Sequence, residues 1–259
     1  MAKTERTISH VVRDIMASLP ETEEFLSHGS PTFRVRGKIF AGYTINHHGD
    51  GRVALILMAP RGAQAAFTKM NPNAYFVPPY VGPKGWLGVE LDKGLGWQTV
   101  YEHVRDAYEM VASTTLVNSI NGKFRVSPPT RKFRAEEIDP FQGKRAQAVL
   151  KKLESICTAL PETQAGTQFG APVWKAGKKT FVSTHYYTGR LNLSFCVGPK
   201  RQAALTKDNR FRVSMYTGHN GWIDLDVEEH QDWDEIKELA HESYRHFALN
   251  RMLKALDAI

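Results

Sequence analysis

The chain has almost no cysteine. Cys157 and Cys196 are the only two, far apart and without a partner at C-x-x-C spacing, which excludes a disulfide framework and a zinc site of the usual ligand pattern. Both read as buried thiols. Long hydrophobic runs are also missing. No stretch approaches the roughly 20 apolar residues of a membrane span, and MAKTERTISHVVRDIMASLP lacks the uninterrupted apolar segment of a secretion signal. A cytoplasmic location without a membrane partner is expected. Neither glycine pattern of a phosphate-binding loop occurs, and neither G-x-S-x-G nor H-E-x-x-H is present. His241 and His246 are poorly spaced for one helical face, His47-His48 fall at a turn, and Cys196 has no histidine at motif spacing. The expectation is a non-enzymatic protein with no catalytic residue, metal or cofactor.

What is present is a globular composition. The chain has 259 residues, 42% hydrophobic and 24% charged, enough for a real core and for one large domain or two ordinary ones. The net charge is +7, and more than half of that excess falls in residues 118–145. This segment, NSINGKFRVSPPTRKFRAEEIDPFQGKR, has the Pro, Gly and polar content of a boundary. Its Phe124, Val126, Phe133 and Phe141 indicate that it packs on something.

The sequence is written twice. GWLGVELDKGLGWQTVYEHVRDAYEMV, from Gly85, returns as GWIDLDVEEHQDWDEIKELAHESYRHF, from Gly221. Trp86, Trp97 and Tyr108 are answered at equal spacing by Trp222, Trp233 and Tyr244. LPET at Leu19 recurs at Leu160, GSPTFRVRGKIFA from Gly29 matches GAPVWKAGKKTFVS from Gly170, and RVALILMAPRGAQAAF from Arg52 matches RLNLSFCVGPKRQAAL from Arg190. The block order is the same in both halves, so a whole domain is duplicated: residues 1–117, a basic connector 118–145, and residues 146–259.

Each copy opens with an amphipathic helix, residues 7–18 or 146–159, stopped by Pro20 or Pro161. Thr32 to Val35 and Lys38 to Tyr43 read as a strand pair around Arg36-Gly37, and Arg52 to Met58 as a third strand. The second copy turns at Gly177 and Gly189. A short Ala-rich helix, an aromatic turn-rich stretch, a strand carrying Trp86 or Trp222, and a closing helix follow. On that last helix Trp97, Val100, Val104, Tyr108 and Val111 form one stripe, repeated by Trp233, Ile236, Ala240, Tyr244 and Phe247, which reads as core. Trp86 and Trp222 each follow a Gly-containing loop, where either core or the mouth of a site is open to them.

The combination Leu19-Pro20-Glu21, Gly29-Ser30-Pro31-Thr32-Phe33-Arg34, Tyr80…Lys84-Gly85-Trp86 and Ala107-Tyr108-Glu109 resembles the MmcQ/YjbR family. The second copy offers Leu160-Pro161-Glu162, Gly170-Ala171-Pro172-Val173-Trp174-Lys175, Tyr216…Asn220-Gly221-Trp222 and Ser243-Tyr244. The resemblance implies two α+β domains, each an antiparallel sheet backed by N- and C-terminal helices, similar in outline to the frataxin (CyaY) fold. Members are commonly described as DNA-binding, with strand pairs that look like wings. One departure is Asn220, where the first copy has Lys84.

Cations support DNA as a partner. Arg34, Arg36 and Lys38 lie on one strand pair, and Lys175, Lys178 and Lys179 on its counterpart, placed to neutralise phosphates. Arg61, Lys84, Lys200 and Arg201 stand at adjoining loops or helix starts, and the connector adds Arg131, Lys132 and Arg134. Basic side chains also solvate strand edges and deter aggregation, so each cluster has that second reading. Asp224, Asp226 and Glu228 alternate, as strand residues sharing one face would. The first copy has Gly88, Glu90 and Asp92 there, and a solvated acidic edge is expected rather than a cation site. The alternative function is a small-molecule or protein-binding module using the cleft between the copies, with Trp86, Trp222, Tyr80 and Tyr216 at its mouth.

Overall fold

The computed structural model describes residues 5–120, 122, 124–229 and 231–258. The chain divides into two units, Met1–Ile138 and Asp139–Ile259, built to one plan.

In the first unit, helix α1 (Ile8–Ala17) buries Ile8, Val11, Val12, Ile15 and Met16, each burial contributing about 1.5–3 kcal/mol before entropy is charged. Pro20 prevents its continuation. Strands β1 (Thr22–Ser27), β2 (Ser30–Val35), β3 (Lys38–Ile45) and β4 (Val53–Leu57) follow, then α2 (Ala63–Met70), β5 (Tyr75–Phe76), β6 (Leu87–Glu90), α3 (Trp97–Glu109), α4 (Thr114–Asn118) and α5 (Ala135–Ile138). The six strands run in the order β1-β2-β3-β4-β6-β5, each antiparallel to its neighbours. Arg36 and Gly37 both have positive φ, the geometry of a tight hairpin turn that matches strand twist.

The second unit repeats this with α6 (Lys144–Thr158), β7 (Thr163–Gln168), β8 (Ala171–Ala176), β9 (Lys179–Tyr187), β10 (Arg190–Cys196), α7 (Gly198–Leu205), β11 (Phe211–Val213), β12 (Trp222–Asp226), α8 (Trp233–Phe247) and α9 (Asn250–Leu256). Its order, β7-β8-β9-β10-β12-β11, is the same. The α+β class and the duplication are as the sequence implies, with six strands per unit where four were read. Outer strands β1 and β7 and the short β5 and β11 are the additions.

Equivalent devices hold both units. Tyr108 and Tyr244 donate from their hydroxyls to the Pro20 and Pro161 carbonyls at 2.8 and 2.7 Å. Their rings meet Phe40 and Phe181 edge-on at 5.6 and 5.4 Å. Gln64 Nε2 donates to the carbonyls of Gly82 and Trp86, and Gln202 Nε2 to those of Gly218 and Trp222. The closing-helix stripes are core or packed against it. Cys157 and Cys196 are buried free thiols, and burial raises the pKa of both.

The stretch 118–145 is shared between the units. Phe124, Val126, Phe133 and Ile138 pack on the first core, and Phe141 on the second. The Thr130 amide donates to the Arg6 carbonyl at 2.8 Å and the Arg6 amide to Thr130 Oγ1 at 2.9 Å, so this backbone belongs to the fold of the first unit.

Candidate functional site

The strand pairs are three-stranded ribbons, because β1 and β7 extend them, and register decides what faces the cations. In the first unit Glu23 lies opposite Arg34, and they pair at 2.8 Å. Arg36 is held by Glu21 through two bonds of 2.7 and 2.9 Å, and Arg13 by Glu24 at 2.9 Å. Exposed Lys38 completes the group. In the second unit Gln164 lies opposite Lys175, and Glu162 is taken by Arg251 at 2.6 Å. Among the described residues Lys175, Lys178 and Lys179 form no ion pair. Lys175 is half-buried, whereas Lys178 and Lys179 are exposed. One ribbon is charge-compensated and its twin is cationic.

The other predicted cations divide similarly. Arg131 is bound by Glu5 and Glu137, and Arg134 by Glu136 and Glu137. Hydrogen bonds from Arg131 and from the Arg134 amide hold the Glu137 carboxyl down to about 2. Arg201 pairs with Glu242 at 3.1 Å. Arg61, Lys84, Lys132 and Lys200 are exposed and form no ion pair among the described residues.

The aromatic candidates do not share one environment. Trp222 is 9% exposed and packs on Phe247, while Trp86 is half-buried. Tyr80 and Tyr216 stand out at 73% and 77% exposure, with Tyr80 Oη bonded to His48 Nε2 at 3.1 Å. Trp222 is therefore core.

The expected solvated acidic edge is not one. Strand β12 points Ile223 and Leu225 into the core and Asp224 to the opposite face of the sheet, where Asp224 is only 3% exposed. Its Oδ1 accepts from Ser194 Oγ at 2.8 Å and Ser214 Oγ at 2.5 Å. Its Oδ2 lies 3.3 Å from both Arg212 Nε and His185 Nε2. Burial by itself would raise this carboxyl's pKa, but the hydrogen bonds from His185, Ser214 and Ser194 outweigh it and leave the pKa below the ordinary value. Asp226 is bound by Arg190, and Glu228 by Arg145. The segment is thus a set of satisfied carboxylates, with much of its acidity neutralised locally.

Sequence reasoning missed this buried cluster. Its signal is a difference between the copies: registers place Asn192, Ser194, Asp224 and Arg212 where the first sheet has Ala54, Ile56, Gly88 and Phe76. No group of three or more His, Cys, Asp or Glu among the described residues is arranged to hold a metal ion. No helix among them is long and apolar enough to cross a membrane.

The model of the YjbR family matches residues 17–110 and again 158–246. A solved structure, Deinococcus radiodurans protein DR2400, carrying the family-model domain DUF419, is similar at 17% identity and a TM-score of 0.37, over 46% of this chain and 91% of that one. No curated protein matches.

Proposed function

Because the chain belongs to the YjbR family, we propose that it is a non-enzymatic DNA-binding protein whose duplex contact is made by the ribbon β7-β8-β9. The observation that carries this reading is the contrast between the ribbons: among the described residues Lys175, Lys178 and Lys179 form no ion pair, whereas Arg34 and Arg36 are occupied by Glu23 and Glu21. A phosphate approaching the first ribbon meets Glu21, Glu23 and Glu24 along with the arginines. At the second, Glu162 is taken by Arg251 and the three lysines stand without an ion pair among the described residues. Such contacts are sequence-independent and act through counterion release.

The test is fluorescence anisotropy of a labelled duplex titrated with the full chain at about 50 and about 200 mM salt. Three phosphate contacts predict a loss of about 40-fold in affinity over that range, from a slope near −0.9 per phosphate. Absence of saturable binding at the lower salt would sink the proposal.

A further inference from the structure

The polar cluster on the second sheet is not required by the fold. In the first unit the same position is filled by an aromatic ring: Phe76 lies over Gly88 so closely that a Cβ there would meet its ring at 2.4 Å, with Ala54 and Ile56 alongside and the Arg52 guanidinium, paired with Glu90, 4.1 Å from the ring centre. The second unit replaces that with a buried carboxylate and the donors that satisfy it. Networks of this kind are not more stabilising than well-packed apolar side chains, so stability does not account for the exchange.

What the cluster presents to solvent differs from what it buries. Asp224, Asn192, Ser194 and Ser214 form the floor, all under 7% exposed. The rim is His185, Arg212 and Tyr187, with side chains of the first two 37% and 35% exposed and Tyr187 41% exposed. The Arg212 guanidinium stacks on Tyr187 at 3.7 Å and is steered by Asp224. Its polar contacts, to Asp224 and to His185 Nε2, are both 3.3 Å long, unlike neighbouring Arg210, which Asp208 and Glu235 hold at 2.7 and 2.8 Å. Asn192 Oδ1 is buried with no donor reaching it among the described residues, in register beside His185; as an acceptor it would take a protonated oxygen of a ligand and not an anionic one. The carboxylate is hidden and the cationic, aromatic groups are outermost, an arrangement that suits an anion and disfavours a metal ion.

We propose that this sheet face binds the anionic group of a small molecule, a phosphate or a carboxylate, with Arg212 and His185 as its direct contacts. Asp224 acts as a positioning residue that fixes both. The site lies across β9, β10, β12 and β11 and does not use Lys175, Lys178 or Lys179, so its residues are distinct from the proposed DNA contact.

The experiment is a titration of the isotopically labelled full chain with inorganic phosphate, and separately with citrate, at constant ionic strength balanced by chloride. It is read from the Arg212 Nε–H and the His185 ring signals. Saturable shifts confined to these groups are expected. Phosphate alone, citrate alone or both saturating would each assign the anion class. Arg212→Gln should weaken binding at least tenfold, and His185→Gln provides an independent check should the first variant misfold. Glutamine at Lys175, Lys178 and Lys179 should leave anion binding unchanged while reducing DNA affinity, so the two readings fail separately. Shifts that never saturate, that spread over surface lysines, or that survive both site variants would overturn the proposal.

Discussion

The sharpest prediction concerns unequal ribbons. Replacing Lys175, Lys178 and Lys179 together by Gln removes three cations that have no ion partner among the described residues. If each neutralises one phosphate, the slope of log affinity against log salt should flatten by about 2.7, and affinity at about 0.1 M salt should fall by about 500-fold. The matched perturbation in the first unit removes whole pairs, Arg34 with Glu23 and Arg36 with Glu21, all to Gln, so that net charge is conserved and only contacts are lost. Exposed pairs are worth about 0.2–1 kcal/mol, and drawing an arginine onto a phosphate would also strand its glutamate beside the duplex. The first-unit variant should therefore change affinity by less than about fivefold, the equivalent of 1 kcal/mol, and leave the slope intact. Both variants are read by anisotropy across a salt series. A slope that flattens as much for the first ribbon as for the second would refute the reasoning that local carboxylates silence it.

Asp224→Ala leaves Arg212 and two buried hydroxyls without their acceptor and should destabilise the protein by about 3–5 kcal/mol, read from urea unfolding followed by tryptophan fluorescence. Because the folded pKa of Asp224 is depressed, its stabilisation is complete above its unfolded value of about 3.9 and disappears as pH falls through the lower folded value; acid titration of wild type against Asp224→Asn checks this. Glu90 has the opposite sign: burial raises its pKa against the pull of Arg52, so its ionisation penalty is present at neutral pH and relieved as pH drops through the raised value, a dependence that Glu90→Gln should abolish in the same titration. Ser243→Ala should cost about 1–3 kcal/mol in the same urea assay, since Ser243 Oγ accepts from the Cys196 amide at 2.9 Å and donates to the Phe181 carbonyl at 2.5 Å, all buried. Gly88→Ala drives a methyl into Phe76 and should lower stability by about 1–3 kcal/mol.

Helices α1, α3, α6 and α8 and the inner strands were legible because they face a core, and a core imposes periodicity; the short α4, α5 and α9 were not read. Strand β1 was not, since Glu23, Glu24 and Leu26 are exposed and only Thr22, Phe25 and Ser27 are half-buried. Strand β7, TQAGTQ, has even less to bury. Without those outer strands, the partners of Arg34 and Arg36 could not be read, because Glu21 and Glu23 reach them only through ribbon geometry. Asp224 was misplaced for a related reason. Alternation put it on the face away from Ile223 and Leu225, which is correct, but that face is assumed to be wet in a two-layer domain. Here the neighbouring side chains of four strands shield it, which sequence spacing along one strand does not express.

The duplication separates scaffold from surface without any other sequence for comparison. Where the units agree, the residues close the fold: the Tyr108 and Tyr244 hydroxyls on prolyl carbonyls, the Gln64 and Gln202 amides tying a loop to a strand, the Arg52–Glu90 and Arg190–Asp226 pairs at one register position. Where they differ, the difference is electrostatic and local. Glu23 opposite Arg34 becomes Gln164 opposite Lys175, and Phe76 over Gly88 becomes Arg212 beside Asp224. The Ser243 hydroxyl shows how tightly the scaffold limits such change. The first unit has Ala107 there, and the Met58 amide bonds directly to the Phe40 carbonyl at 2.9 Å; in the second the hydroxyl stands between the equivalent groups and satisfies both. At this position the polar substitution leaves both buried backbone groups still satisfied. The second unit departs from that pattern at Asn192 Oδ1, in the cluster beside His185, and at Trp174 Nε1, where the first unit has Phe33: both are buried without a hydrogen-bond partner among the described residues.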